Sequence, residues 1–154
     1  MNKINEYIKK RRKNDPLFRL KQNMRTRVLK ALKAQTASKN QRTIVYLNCS
    51  IAQLYNYLEL QFKDSGMNWV NMGRKDCEGG RGWEIDHRRP CDSFDLNDEE
   101  QKYMCFHWTN LQPMWGQENN NKGDDYDPKT FRYKWIDRET GWVGIKKYKK
   151  KYNE

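Results

Sequence analysis

Hydrophobic residues recur at helical spacing along residues 15–34, the segment DPLFRLKQNMRTRVLKALKA. The residues that would form one apolar face of this helix are Leu17, Leu20, Met24, Val28, Ala31 and Leu32. Asp15 can cap the helix, and Pro16 falls at the first helical position, where a missing N–H costs nothing. The pattern therefore predicts an amphipathic helix over these residues.

A second amphipathic helix is predicted at about residues 50–62, after a linker-like segment at 35–42. Its apolar positions follow the spacing i, i+3, i+4, i+7 and i+11, and they are Ile51, Leu54, Tyr55, Leu58 and Phe62. Ser50 is the expected N-cap, and Gly66 lies near the C-terminal end.

Shorter elements are predicted further along the chain. The glycine-rich segment 73–82 is expected to be a loop that leads into a short strand at 83–85. Either Asp95 or Asn97 can cap a helix over 98–106, and residues 107–115 would follow in extended or looped form. A hairpin around residues 137–141 is expected before the lysine-rich tail.

Charge is distributed unevenly along the chain, which has a net charge of +11. Residues 1–42 hold 14 basic and 2 acidic residues, residues 43–145 hold 12 basic and 17 acidic, and residues 146–154 hold 5 basic and 1 acidic. A mildly acidic body between two basic arms favours a polyanionic partner, with nucleic acid first and an anionic membrane second. A basic surface that is merely solvated would be expected to spread its charge evenly.

Composition excludes several classes of protein. No apolar run reaches the roughly 18 residues of a membrane-spanning helix, and without a visible signal peptide we expect an intracellular protein. The four cysteines form no CxxC pair, so no zinc is expected, and the thiols are expected to be free.

The candidate chemistry begins in the stretch GGRGWEIDHRRPCDSFDL, where Asp86 and His87 follow a short apolar run. A carboxylate is a hard ligand for a divalent cation, and an imidazole can act as a base at physiological pH. Asn110 in TNLQPM and Asn119 in ENNNKGD add neutral oxygen ligands suited to Mg²⁺ or Mn²⁺. Taken alone, Asn110 could cap a turn and Asn119 could lie in a solvated loop. The order of these residues along the chain favours a metal-dependent phosphodiesterase site.

Together, WEIDH, FDL, TNLQPMW and ENNNKGD resemble the HNH endonucleases of the His-Me finger group, particularly the small nucleases of bacteriophages and large DNA viruses. The likeness covers most of residues 43–124. It implies an α+β fold with a ββα-metal core, here without the zinc knuckles of many relatives and preceded by basic and amphipathic helices. The implied organisation is a basic helical DNA-binding arm at 1–42, a nuclease core with its preceding helix at 43–127, and a C-terminal hairpin and tail at 128–154.

The resemblance also implies roles for individual residues. Asp86 matches the metal-binding acid and His87 the general base that deprotonates water. Asn110 matches the asparagine that holds the loop and helps to orient this histidine, and Asn119 matches the second metal ligand, unless a register shift gives that role to Asn120 or Asn121. The expected cofactor is Mg²⁺, with Mn²⁺ possible, and the expected partner is double-stranded DNA.

Basic residues are expected to bind the phosphate backbone of that DNA. On the first predicted helix they are Arg19, Lys21, Arg25, Arg27, Lys30 and Lys33, and near the motif they are Arg88, Arg89 and Lys122. Arg88 and Arg89 could equally lie on the rim of the site without touching phosphate. The alternatives to a nuclease are a catalytically silent DNA-binding protein on the same scaffold and a structural RNA-binding protein that stacks bases on Trp and Tyr.

Overall fold

The computed structural model describes residues 2–62, 66–73 and 82–131, together with the backbone of two short strands at 136–137 and 141–142. The protein is an α+β structure, mostly helical, with small two-stranded antiparallel sheets. The helices and strands are α1 (Lys3–Asn14), α2 (Pro16–Ala34), α3 (Thr43–Leu47), α4 (Ile51–Glu59), β1 (Trp83–His87), α5 (Glu99–Phe106), β2 (Leu111–Trp115), α6 (Gly116–Lys122), β3 (Ile136–Asp137) and β4 (Gly141–Trp142). Single 3₁₀ turns lie at Cys91–Ser93 and Trp108–Asn110.

Helix α2 confirms the first prediction at both ends. Asp15 Oδ1 accepts a hydrogen bond from the Phe18 N–H at 2.9 Å, and Pro16 occupies the first turn. The buried residues of α2 are Leu20, Met24, Val28 and Leu32. Leu17, which was expected on the apolar face, is 42% exposed because it lies in the first turn, ahead of the packed part of the helix.

Helix α1 was not predicted from the sequence. None of its residues is buried, and its apolar residues Ile4, Tyr7 and Ile8 are exposed. It is capped by Asn2, whose Oδ1 accepts the N–H of Ile4 at 3.1 Å, and it packs against α2. Arg11 pairs with Asp15 at 3.3 Å and lies 4.4 Å above the ring of Phe18, which joins the two helices at their junction.

Helix α4 begins where the sequence predicts and ends three residues early, at Glu59. Ser50 and Gln53 form a reciprocal capping box, with hydrogen bonds of 3.1 and 2.9 Å between each side chain and the other residue's backbone N–H. The preceding helix α3 was not predicted. It ends at Asn48, whose φ of +56° places it in the left-handed region and turns the chain into α4.

Helix α5 confirms the predicted helix within one residue, but the predicted caps are wrong. Asp98 is the N-cap, and its Oδ1 accepts the N–H of Gln101 at 2.8 Å. Asp95 Oδ1 instead accepts the N–H of Asn97 at 2.9 Å, so this carboxylate stabilises the turn before the helix.

Strand β1 extends two residues beyond the predicted strand because it pairs along its full length with β2. The register places Trp83 opposite Trp115 and His87 opposite Leu111. Helix α6 follows β2 without an intervening loop and packs against both strands. From the sequence this segment could also be a loop, because its residues are polar and form no apolar face. In the structure Gly116 is its only buried residue.

Two hydrophobic clusters make up the core, and α2 contributes to both. The first lies between α2, α4 and β1, where Trp83 packs against Phe62 and Trp69 with ring centroids 4.9 and 5.3 Å apart. The second lies between α2, α3 and α5, where Tyr46 packs against Phe106 at 5.8 Å. The strand pair therefore packs against α2 and α4. The end of β1 lies between the two clusters.

Some predictions fall on parts of the chain that the structure does not describe. Residues 74–81, which include Cys77 and most of the predicted glycine-rich loop, lie outside the described residues, as does the lysine-rich tail. The predicted hairpin is confirmed in its strands, where Ile136 pairs with Trp142, while its turn at 138–140 is outside. Among the described helices, none is long and apolar enough to cross a membrane.

Candidate functional site

Asp86 lies near the end of β1, is 5% exposed, and has a contact on each of its carboxylate oxygens. Oδ2 accepts a hydrogen bond from Gln112 Nε2 at 2.9 Å, and Oδ1 lies 3.2 Å from Lys122 Nζ. Gln112 is opposite Asp86 in the register of the sheet, and Lys122 is in the last turn of α6. A carboxylate, an amide and a cation from three different elements therefore meet at one end of the strand pair.

Helix α6 covers the same face of β1 with two polar side chains spaced three residues apart. Asn119 Nδ2 donates to Glu84 Oε2 at 3.0 Å, and Lys122 Nζ donates to the His87 carbonyl oxygen at 3.0 Å. Glu84 and Asp86 are two residues apart in a strand, so they project to one face. Glu84 and Asp86 carry carboxylate oxygens and Asn119 carries an amide oxygen, which are the types of ligand that Mg²⁺ or Mn²⁺ takes, although here Asn119 directs its Nδ2 toward Glu84.

His87 projects to the other side of β1, as expected for strand neighbours. Its ring lies 6.0 Å from that of Phe106, and one ring nitrogen lies within 4.8 Å of the Sγ atoms of Cys91 and Cys105. The residue is 6% exposed, and Nε2 is buried with no hydrogen-bond partner among the described residues. Asp86 and His87 are therefore adjacent in sequence but contact different sets of side chains.

The thiols near His87 interact with each other. Cys105 Sγ donates to Cys91 Sγ at 3.4 Å. This hydrogen bond holds the pKa of Cys91 below its usual range, and His87 contributes in the same direction. Burial raises the pKa of Cys105, which is fully buried. The pair therefore favours a thiolate on Cys91 and a thiol on Cys105.

Asn110 is 1% exposed and holds the turn that follows His87. Its Oδ1 accepts the Arg89 N–H at 2.9 Å, and its Nδ2 donates to the carbonyl oxygens of Arg89 at 3.1 Å and Cys105 at 2.9 Å. The Asn110 carbonyl oxygen also accepts the N–H of Arg88 at 2.7 Å. One side chain thus fixes residues 88–89 to the start of β2 and the end of α5.

The two arginines after His87 are held against aromatic rings. Arg89 donates to Ser93 Oγ at 3.1 Å and to the Ser93 carbonyl oxygen at 3.0 Å, with its guanidinium carbon 3.9 Å from the centre of the Phe94 ring. The guanidinium of Arg88 lies 5.1 Å from the ring of Phe131. Arg89 therefore braces the turn at 91–94 in this structure.

The six bases of α2 divide into two groups. Four are exposed, and these are Lys21, Arg25, Lys30 and Lys33. Arg19 donates to the Trp69 carbonyl oxygen, and Arg27 is largely buried between α2 and β1. Burial lowers the pKa of Arg27, while Cys91, Asp86 and Glu84 act in the opposite direction. Arg27 and Glu84 both line a cavity of about 150 Å³.

Three residues at the site were not identified as functional candidates from the sequence, namely Gln112, Cys91 and Cys105. Gln112 is two residues after Asn110 and opposite Asp86, so a known strand register would have revealed it. Cys91 and Cys105 come together through the packing of α5 beside the end of β1, and their separation of 14 residues carries no recognisable metal-ligand spacing.

Comparison with known proteins gives two viral relatives. The chain is 36% identical over 150 residues to uncharacterized protein L246 of Acanthamoeba polyphaga mimivirus, an alignment that covers 96% of the chain and 61% of that protein. It is 36% identical over 132 residues to uncharacterized protein L426 of the same virus, covering 86% of the chain and 54% of that protein. The chain therefore spans somewhat more than half the length of these relatives. No known family and no solved structure matches it.

Proposed function

We propose that the protein is a divalent-metal-dependent HNH DNA endonuclease. The observation that carries this proposal is the order β1, β2, α6, in which the helix brings Asn119 and Lys122 onto the strand face that holds Asp86. Two antiparallel strands followed directly by a helix are what a ββα-metal core requires. The viral source of both relatives agrees with the resemblance to viral nucleases.

Asp86 and Asn119 would hold the metal ion, with Glu84 beside them. These groups fit Mg²⁺ because they are carboxylate and amide oxygens supplied from a strand and a helix that pack together. The bound ion would neutralise charge on the scissile phosphate and on the leaving oxygen. Lys122 now lies against Asp86, and its mobile ammonium group is suited to move onto a phosphate once a cation takes its place.

His87 would serve as the general base that removes a proton from the attacking water. Asn110 supports this role, since its side chain holds the backbone of Arg89, two residues after His87, with two hydrogen bonds. In this structure the imidazole is directed toward Cys91 and Cys105, so the role requires the ring to turn toward the phosphate when DNA binds. The carbonyl oxygen of His87 already contacts Lys122 on the metal side of the strand.

The DNA backbone would lie along the exposed bases of α2. Arg27 is placed differently, because it reaches from α2 toward Glu84 and Asp86 with its Nε buried and lacking a hydrogen-bond partner among the described residues. Arg27 and Glu84 line the same cavity, and a guanidinium there is suited to hold a phosphate beside the metal.

A second candidate function is a DNA-binding protein that no longer cuts. The ion pair between Lys122 and Asp86 favours it, since an ammonium group already occupies one side of the acid that would bind the metal. The two functions differ in metal-dependent cleavage and agree in DNA binding.

The deciding experiment incubates supercoiled plasmid with the purified protein in Mg²⁺ or EDTA. We expect open-circle or linear DNA in Mg²⁺ only, and none with His87→Ala or Asp86→Asn. Asp92→Asn is the matched control, because Asp92 is an exposed acid near the same turn. Gel-shift binding in EDTA and thermal unfolding would verify that all variants fold and bind. Full cleavage by His87→Ala would refute the nuclease assignment, and binding without cleavage by the unaltered protein would favour the silent scaffold.

A further inference from the structure

His87, Cys91 and Cys105 form a compact cluster on the side of β1 away from Asp86. One ring nitrogen of His87 and the two Sγ atoms all lie within 4.8 Å of one another. Cys105 is fully buried, Cys91 is partly buried and His87 is 6% exposed. The residues come from the end of β1, the 3₁₀ turn after it and α5, so the fold and not a local motif brings them together.

The donors have the chemistry of a soft or borderline metal site. Thiolate and imidazole ligands select zinc-like ions, whereas carboxylate and amide oxygens select Mg²⁺. With Zn–S bonds of about 2.3 Å and tetrahedral angles, two sulfur ligands lie about 3.8 Å apart. The Sγ atoms of Cys91 and Cys105 are 3.4 Å apart, so a movement of a few tenths of an ångström would suffice.

His87 adds a further observation. The residue is buried, and its Nε2 has no hydrogen-bond partner among the described residues. A buried polar nitrogen without a partner costs free energy, and a metal ion bound through Nε2 would remove that cost. We propose that His87, Cys91 and Cys105 bind one zinc-class divalent ion through three protein ligands, with a fourth position left for water. This assignment replaces the expectation, drawn from the absence of CxxC pairs, that the protein binds no zinc.

The site has a consequence for the nuclease, and this second step rests on the proposed function. Metal ligation uses the lone pair of the imidazole nitrogen, so a His87 bound to zinc cannot accept a proton from water. A zinc-class ion at this cluster would therefore inhibit cleavage, even though Mg²⁺ at the Asp86 face would activate it. The two metals would bind on opposite sides of β1 and have opposite effects on cleavage.

Cobalt titration of the reduced, full-length protein tests the binding step without DNA. We expect one equivalent of Co²⁺ to bind, with sulfur-to-cobalt charge-transfer absorption and the visible bands of tetrahedral coordination. Cys91→Ser and Cys105→Ser should each weaken binding by more than about tenfold, since even the loss of a supporting partner around a metal costs that much. Cys49→Ser is the matched control and should leave the titration unchanged, because Cys49 is a buried cysteine of the other hydrophobic cluster.

Zinc inhibition of plasmid cleavage tests the second step, and each variant is compared with its own Mg²⁺ rate. We expect zinc to inhibit the unaltered protein and to inhibit Cys105→Ser much less. A protein that binds cobalt through these cysteines but does not cut would refute only the nuclease. An unchanged cobalt titration in Cys91→Ser and Cys105→Ser, or a Cys91–Cys105 disulfide with no cobalt spectrum after reduction, would overturn the metal site.

Discussion

The side chain of Asn110 hydrogen-bonds to both backbone groups of Arg89, accepting its N–H at 2.9 Å and donating to its carbonyl oxygen at 3.1 Å. A side-chain amide that pairs with the N–H and the carbonyl oxygen of one residue substitutes for a strand partner just beyond the end of β1. It fixes the turn that follows His87 and therefore the position of the segment that leads from His87 to Cys91.

Replacing this amide should destabilise the protein. Asn110→Ala removes three hydrogen bonds and leaves the partly buried N–H and carbonyl oxygen of Arg89 and the buried carbonyl oxygen of Cys105 with fewer partners. Since each unsatisfied buried group costs about 1–3 kcal/mol, we expect the free energy of unfolding to fall by about 3 kcal/mol or more. Urea unfolding followed by circular dichroism would measure the change.

The control for this prediction is Asn97→Ala, which removes an exposed amide with one long hydrogen bond of 3.3 Å to the Gln35 carbonyl oxygen. Its cost should stay below about 1 kcal/mol. An equal fall in the free energy of unfolding of the two variants would show that the Asn110 amide stabilises the turn no more than an exposed amide does.

Acidification should destabilise the protein through His107. Burial lowers the pKa of this imidazole from 6.5 to about 4, and its ring nitrogens lie 2.8 Å from Thr109 Oγ1 and 3.3 Å from Asn48 Nδ2. Because the folded-state pKa is lower, the unfolded state takes up the proton first, and stability falls as pH decreases from about 6.5 to 4. At about 1.4 kcal/mol per pKa unit, the loss from this residue approaches 3 kcal/mol.

His107→Gln should remove this contribution, since an amide does not titrate. Urea unfolding at a series of pH values between 7 and 4 would show a shallower decline for the variant than for the unaltered protein. Parallel curves would mean that His107 accepts its proton in the folded state, contrary to the effect of burial.

Helices α2 and α4 could be predicted because each has an apolar face and begins with a recognisable capping residue. Asp15 with Pro16 and Ser50 with Gln53 define the starts of α2 and α4 through contacts within a single turn. Helix α1 has an N-cap, Asn2, but buries no residue, and helix α3 buries three residues within a single five-residue element. Periodicity therefore detected the two long helices that bury a face and missed one that buries nothing and one that is too short to show a repeat.

The candidate site divides in the same way. Residues Asp86, Asn110 and Asn119 could be identified by the order of the motif along the chain. The pairing of Asp86 with Gln112 depends on strand register, and that of Cys91 with Cys105 depends on where α5 packs. Both relationships join distant parts of the chain, so no single sequence window contains them.

DNA binding should depend on salt through the four exposed bases of α2, which are Lys21, Arg25, Lys30 and Lys33. If each contacts a phosphate, log K should fall with log salt at a slope of about −3.6, and replacing all four by Gln should remove most of that slope. Fluorescence anisotropy in EDTA at several salt concentrations would measure it. Thr26→Gln with Leu29→Gln alters the same exposed surface without changing its charge and should leave the slope unchanged. A slope that survives the fourfold replacement would assign the DNA contacts to another part of the chain.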